Sequence, residues 1–216
     1  MGQVQRITSV KNERIKMVAK MMSSAKERKY SGLYLVEGPR MVREIPHKDL
    51  DQMYVTQSFY DKNVDDDGKL FRLVNEALEQ SKLYIVTEAV LRKIANTDRP
   101  QGIVAVVKMH DYKLSDIISS ETPPLIVIVE KLQDPGNMGT IIRSAEGAGA
   151  TGILVSYDSV DVYSPKVVRS TMGSIFRKKI VITYDIIGDI GRLKKAGVTV
   201  YGLHLEGRSI YDEDLR

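Results

Sequence analysis

The stretch from Leu125 to Gly152 constrains the fold of this chain more than any other, because an apolar run is joined there through a turn to a helical pattern. Leu125 to Val129 is continuously apolar and rich in β-branched residues, which is typical of a strand buried on both faces of a parallel sheet. Positions 134–137 read Asp-Pro-Gly-Asn, which is strong turn chemistry. The sequence therefore predicts a βαβ unit and, with it, an α/β fold.

A helix is predicted directly after this turn, over 138–148. Asn137 is expected to cap its N-terminus and Gly149 to end it in a left-handed conformation. Arg143 falls outside the apolar stripe that should face the sheet, whose members are Met138, Ile141, Ile142, Ala145 and Ala148. Ligand sites in open α/β sheets form outside the carboxyl ends of the strands, so Asn137 and Arg143 become candidate site residues.

Strands and helices are predicted to alternate along the whole chain, in two domains. Residues 1–110 predict a small α/β domain, 111–124 a linker ending in Thr122-Pro123-Pro124, and 125–216 a second domain with a mostly parallel sheet. In the first domain, strands are expected at 33–37, 53–56, 83–86 and 102–108, and helices near 12–23, 39–45, 69–80 and 88–95. In the second, strands are expected at 125–130, 153–156, 179–183 and 198–203, and helices at about 138–148, 165–173 and 186–196.

Local signals mark the ends of several predicted helices. Ser164 is expected to cap the helix that Pro165 opens, and Gly197 to end the last helix. The pattern G-x-G-x-x-G at 147–152 would indicate a dinucleotide-binding loop if it followed a strand and opened a helix. Here it ends a helix and precedes a strand, so the glycines predict a helix stop and a tight connection. A small-molecule dehydrogenase is therefore disfavoured.

Composition narrows the class of protein. The chain has no cysteine, which excludes disulfides, thiolate metal sites and cysteine nucleophiles and suits a reducing cytoplasm. Its three histidines are scattered, so no metal site is predicted. No apolar run approaches the ~18 residues of a membrane span. We therefore expect a soluble cytoplasmic protein with no membrane association.

Positive charge is concentrated near the N-terminus. Residues 1–29 contain eight basic and two acidic side chains, although the whole chain carries only +4. The predicted first helix has a buried stripe and a solvated basic face, which points to Lys11, Arg14 and Lys20 as residues that can track the phosphate backbone of a nucleic acid. A solvated helix face without a partner is the alternative. An acidic loop at 61–68, with Asp65, Asp66 and Asp67, should lie away from such a surface.

Four segments together resemble a known family. The sequence DPGNMGTIIRSA at 134–145 is similar to the first signature motif of the SpoU (TrmH-like) branch of the SPOUT methyltransferases, and SPKVVRSTMGS at 164–174 resembles its next block. YLVEGPR at 34–40 and RPQGIVAV at 99–106 resemble strands of the RNA-binding domain that many of these enzymes carry. The resemblance implies methyl transfer to a ribose 2′-hydroxyl of RNA, most directly ribosomal RNA, with S-adenosylmethionine as donor.

The resemblance also implies roles for individual residues. Asn137 would shape the catalytic loop, and Arg143 would act on the ribose hydroxyl. Glu130 is added because of its place at the carboxyl end of the predicted strand, from which it could orient Arg143 or Arg169. Leu203, His204 and Gly207 would lie against the donor. Arg40 and Arg169 would contact RNA, Arg169 from a partner subunit, because catalytic domains of this family pair as homodimers.

Simpler structural roles stay open for the same residues. Arg143 could form a surface ion pair with Asp134 or Glu146, and Asn137 could be only a helix cap. Arg169 could lie on a plain amphipathic helix, and His204 could be a hydrogen-bonded structural residue.

Two further family motifs, a Gly-Ser-Glu-Gly-type loop and a Ser-Leu-Asn-type stretch that thread into a trefoil knot around the donor, do not occur here. We therefore expect a chain shortened at its C-terminus, with the knot incomplete. The alternative function is a non-catalytic RNA-binding or ribosome-associated protein that keeps the scaffold without a working donor pocket.

Overall fold

The computed structural model describes residues 4–63, 68–118 and 122–212, which form two β-sheets with helices on their faces. The strands are β1 (Gln5–Ile7), β2 (Leu33–Glu37), β3 (Leu50–Thr56), β4 (Leu83–Val86), β5 (Ile103–Lys108), β6 (Ile126–Val129), β7 (Gly152–Ser156) and β8 (Ile180–Thr183). The helices are α1 (Glu13–Ser23), α2 (Ala25–Ser31), α3 (Pro39–Val42), α4 (Gln57–Asn63), α5 (Lys69–Glu79), α6 (Glu88–Ile94), α7 (Leu114–Ile118), α8 (Pro135–Gly147), α9 (Pro165–Ser170) and α10 (Ile186–Lys195). The predicted acidic loop at Asp65 to Asp67 lies outside the described residues.

The first sheet has the strand order β1-β4-β3-β5-β2 and is buried on both faces. β1, β4 and β3 run parallel, whereas β5 pairs antiparallel with β3 and with β2. Successive side chains of β2 point to opposite faces: Tyr34 and Val36 join one hydrophobic cluster, and Leu35 joins another with Ile15 of α1 and Leu91 of α6. Helices therefore cover both sides of this sheet.

The second sheet is parallel and has the order β6-β7-β8. Met138 and Ile142 of α8 pack on one of its faces together with Val167 of α9. Ile117 of α7 and Leu193 of α10 pack on the other face. β7 between its two neighbours is fully buried, whereas β6 is an edge strand, three of whose four residues are only partly buried, so the burial predicted for Leu125 to Val129 is incomplete.

The second unit packs over the edge of the first sheet at β2. Side chains of both units belong to a single hydrophobic cluster, and the rings of Tyr34 and Tyr163 meet across the junction with centroids 4.9 Å apart. Arg28 of α2 donates to Asp161 over 2.6 and 3.0 Å. A sheet edge that would otherwise be open is thus covered, which removes a site for unwanted strand pairing.

Most predicted elements are confirmed within one to three residues, and the others differ as follows. Residues 198–203 are not a strand: they make no ladder with the described sheet, and Leu203 is 95% exposed. An alternating apolar pattern needs a neighbouring strand before it can pair. The predicted linker contains α7, whose Ile117 is fully buried. The helix predicted at 39–45 is a single turn, and α2, α4 and β1 are additional elements.

The helix caps correct three details of the sequence prediction. Asp134, not Asn137, caps α8, which begins one turn earlier than predicted, and Ala148 is exposed. Ser164 occupies the cap position of α9, but its side chain makes no capping bond and its Oγ is buried without a partner. Gly149 and Gly197 have φ values of +73° and +84°, so both predicted helix stops are confirmed.

Candidate functional site

The N-terminus of α8 lies just beyond the carboxyl end of β6, where the sequence predicts the site. The Asp134 carboxylate accepts a hydrogen bond of 2.7 Å from the Asn137 backbone N–H, and Pro135 occupies the first helical position, where a missing N–H does no harm. Because Asp134 does the capping, the Asn137 side chain is exposed and, among the described residues, has no hydrogen-bond partner. The alternative role of Asn137 as a helix cap is therefore wrong.

Arg143 is exposed on the third turn of α8 and has no ion-pair or hydrogen-bond partner in the described part of the chain. The two carboxylates that could neutralise it are engaged elsewhere. Asp134 caps the helix, and Glu146 accepts hydrogen bonds from Arg177 and from Ser174. The Arg177 guanidinium, followed by the Ser174 hydroxyl, lowers the pKa of the Glu146 carboxyl. The guanidinium of Arg143 is thus available to an anionic ligand.

Close packing of α8 on α9 sets the surroundings of Arg143. Gly139 precedes it by one helical turn, and a Cβ at Gly139 would lie only 1.9 Å from Ser170 Oγ. The Ser170 hydroxyl donates to the Pro135 carbonyl oxygen over 3.2 Å and so ties α9 to the start of α8. Arg169 is exposed in the last turn of α9. Two helices in direct contact therefore each present an arginine that no described residue neutralises.

Glu130 follows the carboxyl end of β6 at the mouth of an open cleft of about 350 Å³. The cleft spans the carboxyl ends of all three strands of the second sheet and is also lined by Ser156, Tyr157, Thr183 and Tyr184. The ion pair of Glu130 is with Lys131, at 3.7 Å. The predicted contact of Glu130 with Arg143 or Arg169 is therefore not found among the described residues.

The basic N-terminal helix is positioned only partly as predicted. Lys11 and Lys20 are exposed, whereas Arg14 is half-buried with its guanidinium 4.7 Å from the centre of the Tyr84 ring. That cation–π contact gives Arg14 a packing role besides any role in RNA binding. Arg40 is exposed in α3, directly after β2.

The residues predicted to hold the methyl donor lie in a segment without packing. Leu203, His204 and Gly207 are all exposed, and His204 Nδ1 accepts a hydrogen bond of 3.2 Å from the Glu206 backbone N–H. Their role in binding the methyl donor therefore stays a prediction.

An aromatic cluster at the carboxyl edge was missed by the sequence analysis. Tyr157 follows β7, Tyr184 follows β8, and Lys29 of α2 donates a hydrogen bond to the Tyr184 hydroxyl. This hydrogen bond lowers the pKa of the Tyr184 hydroxyl and raises the pKa of the Lys29 ammonium. The signal that could have found the pair is a tyrosine directly after each of two neighbouring parallel strands.

Within residues 4–63, 68–118 and 122–212, no group of three or more histidine, aspartate or glutamate side chains is arranged to hold a metal ion. No helix in that part of the chain is long and apolar enough to cross a membrane.

Comparison with known proteins finds a matching protein family for each half of the chain. Residues 124–216 match the SpoU rRNA Methylase family, and residues 12–105 match the MRM3-like substrate binding domain. The 23S rRNA (guanosine(2553)-2′-O)-methyltransferase of Bacillus subtilis is 28% identical over 210 residues, which cover 97% of this chain and 77% of that protein. Several other curated relatives are longer, and the chain spans 40% to 58% of their length.

Solved structures agree with this assignment. An RNA 2′-O ribose methyltransferase matches with a TM-score of 0.64 and 30% identity, over 89% of this chain and 70% of that one. An rRNA methyltransferase from Sinorhizobium meliloti, solved with AdoMet (S-adenosylmethionine) bound, matches with a TM-score of 0.71 and 27% identity, over 88% of this chain and 69% of that one. With its substrate-binding and methylase segments in this order, the chain belongs to the SpoU family of rRNA methylases.

Proposed function

We propose that this protein transfers a methyl group from S-adenosylmethionine to a ribose 2′-hydroxyl of ribosomal RNA. A relative that matches nearly the whole chain is named an rRNA 2′-O-methyltransferase, and one structural neighbour binds AdoMet. The observation that carries the proposal is the state of Arg143, which is exposed on the helix that follows the predicted catalytic loop, while the carboxylates of Asp134 and Glu146 are engaged elsewhere.

S-adenosylmethionine would supply an activated methyl group together with its own leaving group, so the protein's task is to bind and orient RNA. A guanidinium keeps its proton under all ordinary conditions and is therefore a poor base. Arg143 instead suits electrostatic stabilisation of the oxyanion that develops on the ribose, or clamping of the adjacent phosphate. The Asn137 amide, free on the first turn of the same helix, can donate to or accept from the nucleotide.

RNA would be held by cations on both units. Arg169 on α9 and Arg40 after β2 are exposed and have no partner among the described residues. Lys11, just before α1, and Lys20, on α1, are exposed as well. Residues 1–110 would act as the substrate-binding domain and residues 125–216 as the catalytic domain. Contacts from lysine and arginine to phosphate fix the register of RNA without reading its sequence.

The proposal extends to assembly and location. A homodimer through the second domain would cover the apolar side chains exposed near the C-terminus, among them Tyr201, Leu203 and Leu205. A cytoplasmic location is what the family resemblance implies, and the absence of cysteine suits a reducing compartment.

Mapping of ribose methylation in cells tests the activity. Ribose 2′-O-methylation blocks alkaline cleavage of the following phosphodiester, so rRNA from cells without the gene should lose protection at one position. The wild-type gene should restore that protection, and a gene carrying Arg143→Ala should not. An unchanged protection map in the deleted strain would contradict the proposal.

RNA binding without methyl transfer is the second candidate, and the exposure of Leu203, His204 and Gly207 favours it. Calorimetric titration of S-adenosylmethionine into the 216-residue protein separates the two. Saturable binding supports the methyltransferase. Absence of donor binding both by this chain and by a version extended through the C-terminal family motifs, together with retained affinity for rRNA fragments, supports the binding protein.

A further inference from the structure

Two tyrosine rings at the carboxyl edge of the second sheet stack on each other next to a lysine. Tyr157 and Tyr184 have ring centroids 4.1 Å apart and an interplanar angle of 26°. The Lys29 ammonium lies 4.8 Å from the centre of the Tyr157 ring and 5.1 Å from that of the Tyr184 ring. Lys29 belongs to α2, so the N-terminal unit delivers a cation to rings carried by the second unit.

This cluster is exposed, unlike another stacked tyrosine pair of the molecule. Tyr157 is 53% and Tyr184 71% exposed, whereas Tyr54 and Tyr84 stack inside the first unit and are buried. Stacked rings that only hold a fold together are expected to be buried, because the benefit of an aromatic pair rests on the area it removes from water. The exposed Tyr184 ring is therefore available to stack on a planar group of a binding partner.

The cleft beside the rings suits a base better than a phosphate. Its carboxylates already have partners: Asp185 accepts from the Gly188 N–H at 2.9 Å, Asp158 accepts from the Ser156 hydroxyl at 2.6 Å, and Glu130 pairs with Lys131. These negative groups repel a phosphate but can accept hydrogen bonds from the exocyclic amino group of a nucleobase. A volume of about 350 Å³ falls within the range of small-ligand pockets.

We propose that Tyr157 and Tyr184, with Lys29 at their edge, form a stacking platform for an unpaired base of the RNA substrate. The platform rests on the proposed function, since it assigns part of the RNA to a surface of that enzyme. An unpaired base stacks on the exposed ring of Tyr184, and the Lys29 ammonium neutralises the neighbouring phosphate. Duplex RNA offers no free base face, so the platform selects single-stranded loops or extruded nucleotides.

The test compares ring removal with hydroxyl removal. The double variant Tyr157→Leu with Tyr184→Leu removes both rings, and Tyr157→Phe with Tyr184→Phe keeps the rings but removes the hydrogen bond with Lys29. Tyr30→Leu is the matched control, because Tyr30 is 91% exposed on the same helix as Lys29 and makes no ring contact among the described residues. The probe is a short single-stranded RNA that carries 2-aminopurine, whose fluorescence is quenched by stacking, and a duplex of the same sequence.

Wild type, the Phe variant and Tyr30→Leu should quench the single-stranded probe, and the Leu double variant should bind it roughly five- to a hundredfold more weakly without quenching. Affinity for the duplex should be the same in all four proteins. If the Leu double variant binds the single-stranded probe as tightly as wild type, the platform is overturned, whether or not the unfolding midpoint falls. The two rings would then have only a structural role between the two units. Wild-type protein that binds neither RNA would overturn the proposed function as well.

Discussion

Arginines at the junction between the two units and on the α8–α9 surface differ in burial and in the partners that they have. At the junction Arg28 is 4% exposed, bonded to Asp161 and to the Met21 and Met22 carbonyl oxygens. On the α8–α9 surface Arg143 and Arg169 are exposed with no partner among the described residues. The buried arginine that joins the units is thus neutralised within the protein, and the exposed arginines of α8 and α9 remain available to RNA.

Breaking the junction should have the largest effect on stability. Arg28→Met leaves the Asp161 carboxylate without its cation and removes four hydrogen bonds, so we expect a loss of about 3–5 kcal/mol in the free energy of unfolding. Urea denaturation measures it, with Lys26→Met on the exposed face of α2 as control. A loss no greater than that of the control would mean that the junction does not depend on this pair.

Removing the exposed charge of Arg143 should affect activity and leave stability almost unchanged. Arg143→Ala should lower methyl transfer to rRNA by at least ~100-fold, which is typical of removing an oxyanion-stabilising group. The free energy of unfolding should stay within ~0.5 kcal/mol of wild type, because no described residue pairs with Arg143. Arg72→Ala on α5 is the control on a remote helix. A large loss of donor affinity in Arg143→Ala would show that Arg143 serves the donor rather than the ribose.

The packing that positions Arg143 can be tested by two glycines of the same helix. Gly139→Ala brings a methyl group to within 1.9 Å of Ser170 Oγ and should cost about 1–3 kcal/mol, with a matching fall in methyl transfer as α8 shifts against α9. Gly147→Ala meets nothing within 4 Å and should be neutral or stabilise by up to ~1 kcal/mol. Thermal unfolding of both variants decides the point, and equal effects would contradict a close α8–α9 contact.

The smallest expected effect concerns the cations at the N-terminal helix. Replacing Lys11 and Lys20 with glutamine should reduce the slope of log affinity for rRNA against log salt by roughly 0.7–0.9 for each phosphate that the protein no longer neutralises. Arg14 is left in place because its cation–π interaction with Tyr84 contributes to packing. Fluorescence anisotropy over a salt series measures the slope. An unchanged slope would place the RNA on another surface.

The sequence predicted the βαβ unit well because its signals are local. The apolar run before Asp134, the helical spacing of Met138 and Ile142, and the left-handed Gly149 all depend on neighbours within a turn or a strand. The error at the cap has a local cause too: Asp134 and Asn137 are both good capping residues, and the choice depended on Pro135, which favours the first helical position.

The candidate site was predictable only in part. Asn137 and Arg143 could be named from the motif, but whether Arg143 is free depends on Arg177, a residue 31 positions from Glu146 that engages the carboxylate nearest to Arg143 along the helix. The predicted strand at 198–203 failed for a related reason, since strand pairing depends on a partner that an alternating pattern does not name.

By itself the sequence determined most of the longer strands and helices, and the turn that follows the carboxyl end of β6, because hydrophobic period and turn chemistry act over a few residues. Only the tertiary structure decided which charges are neutralised inside the protein. Arg28 meets Asp161 across 133 positions, and Arg177 meets Glu146 across 31. Such pairs form when packed elements bring distant side chains together, so no local pattern encodes which cations remain for RNA.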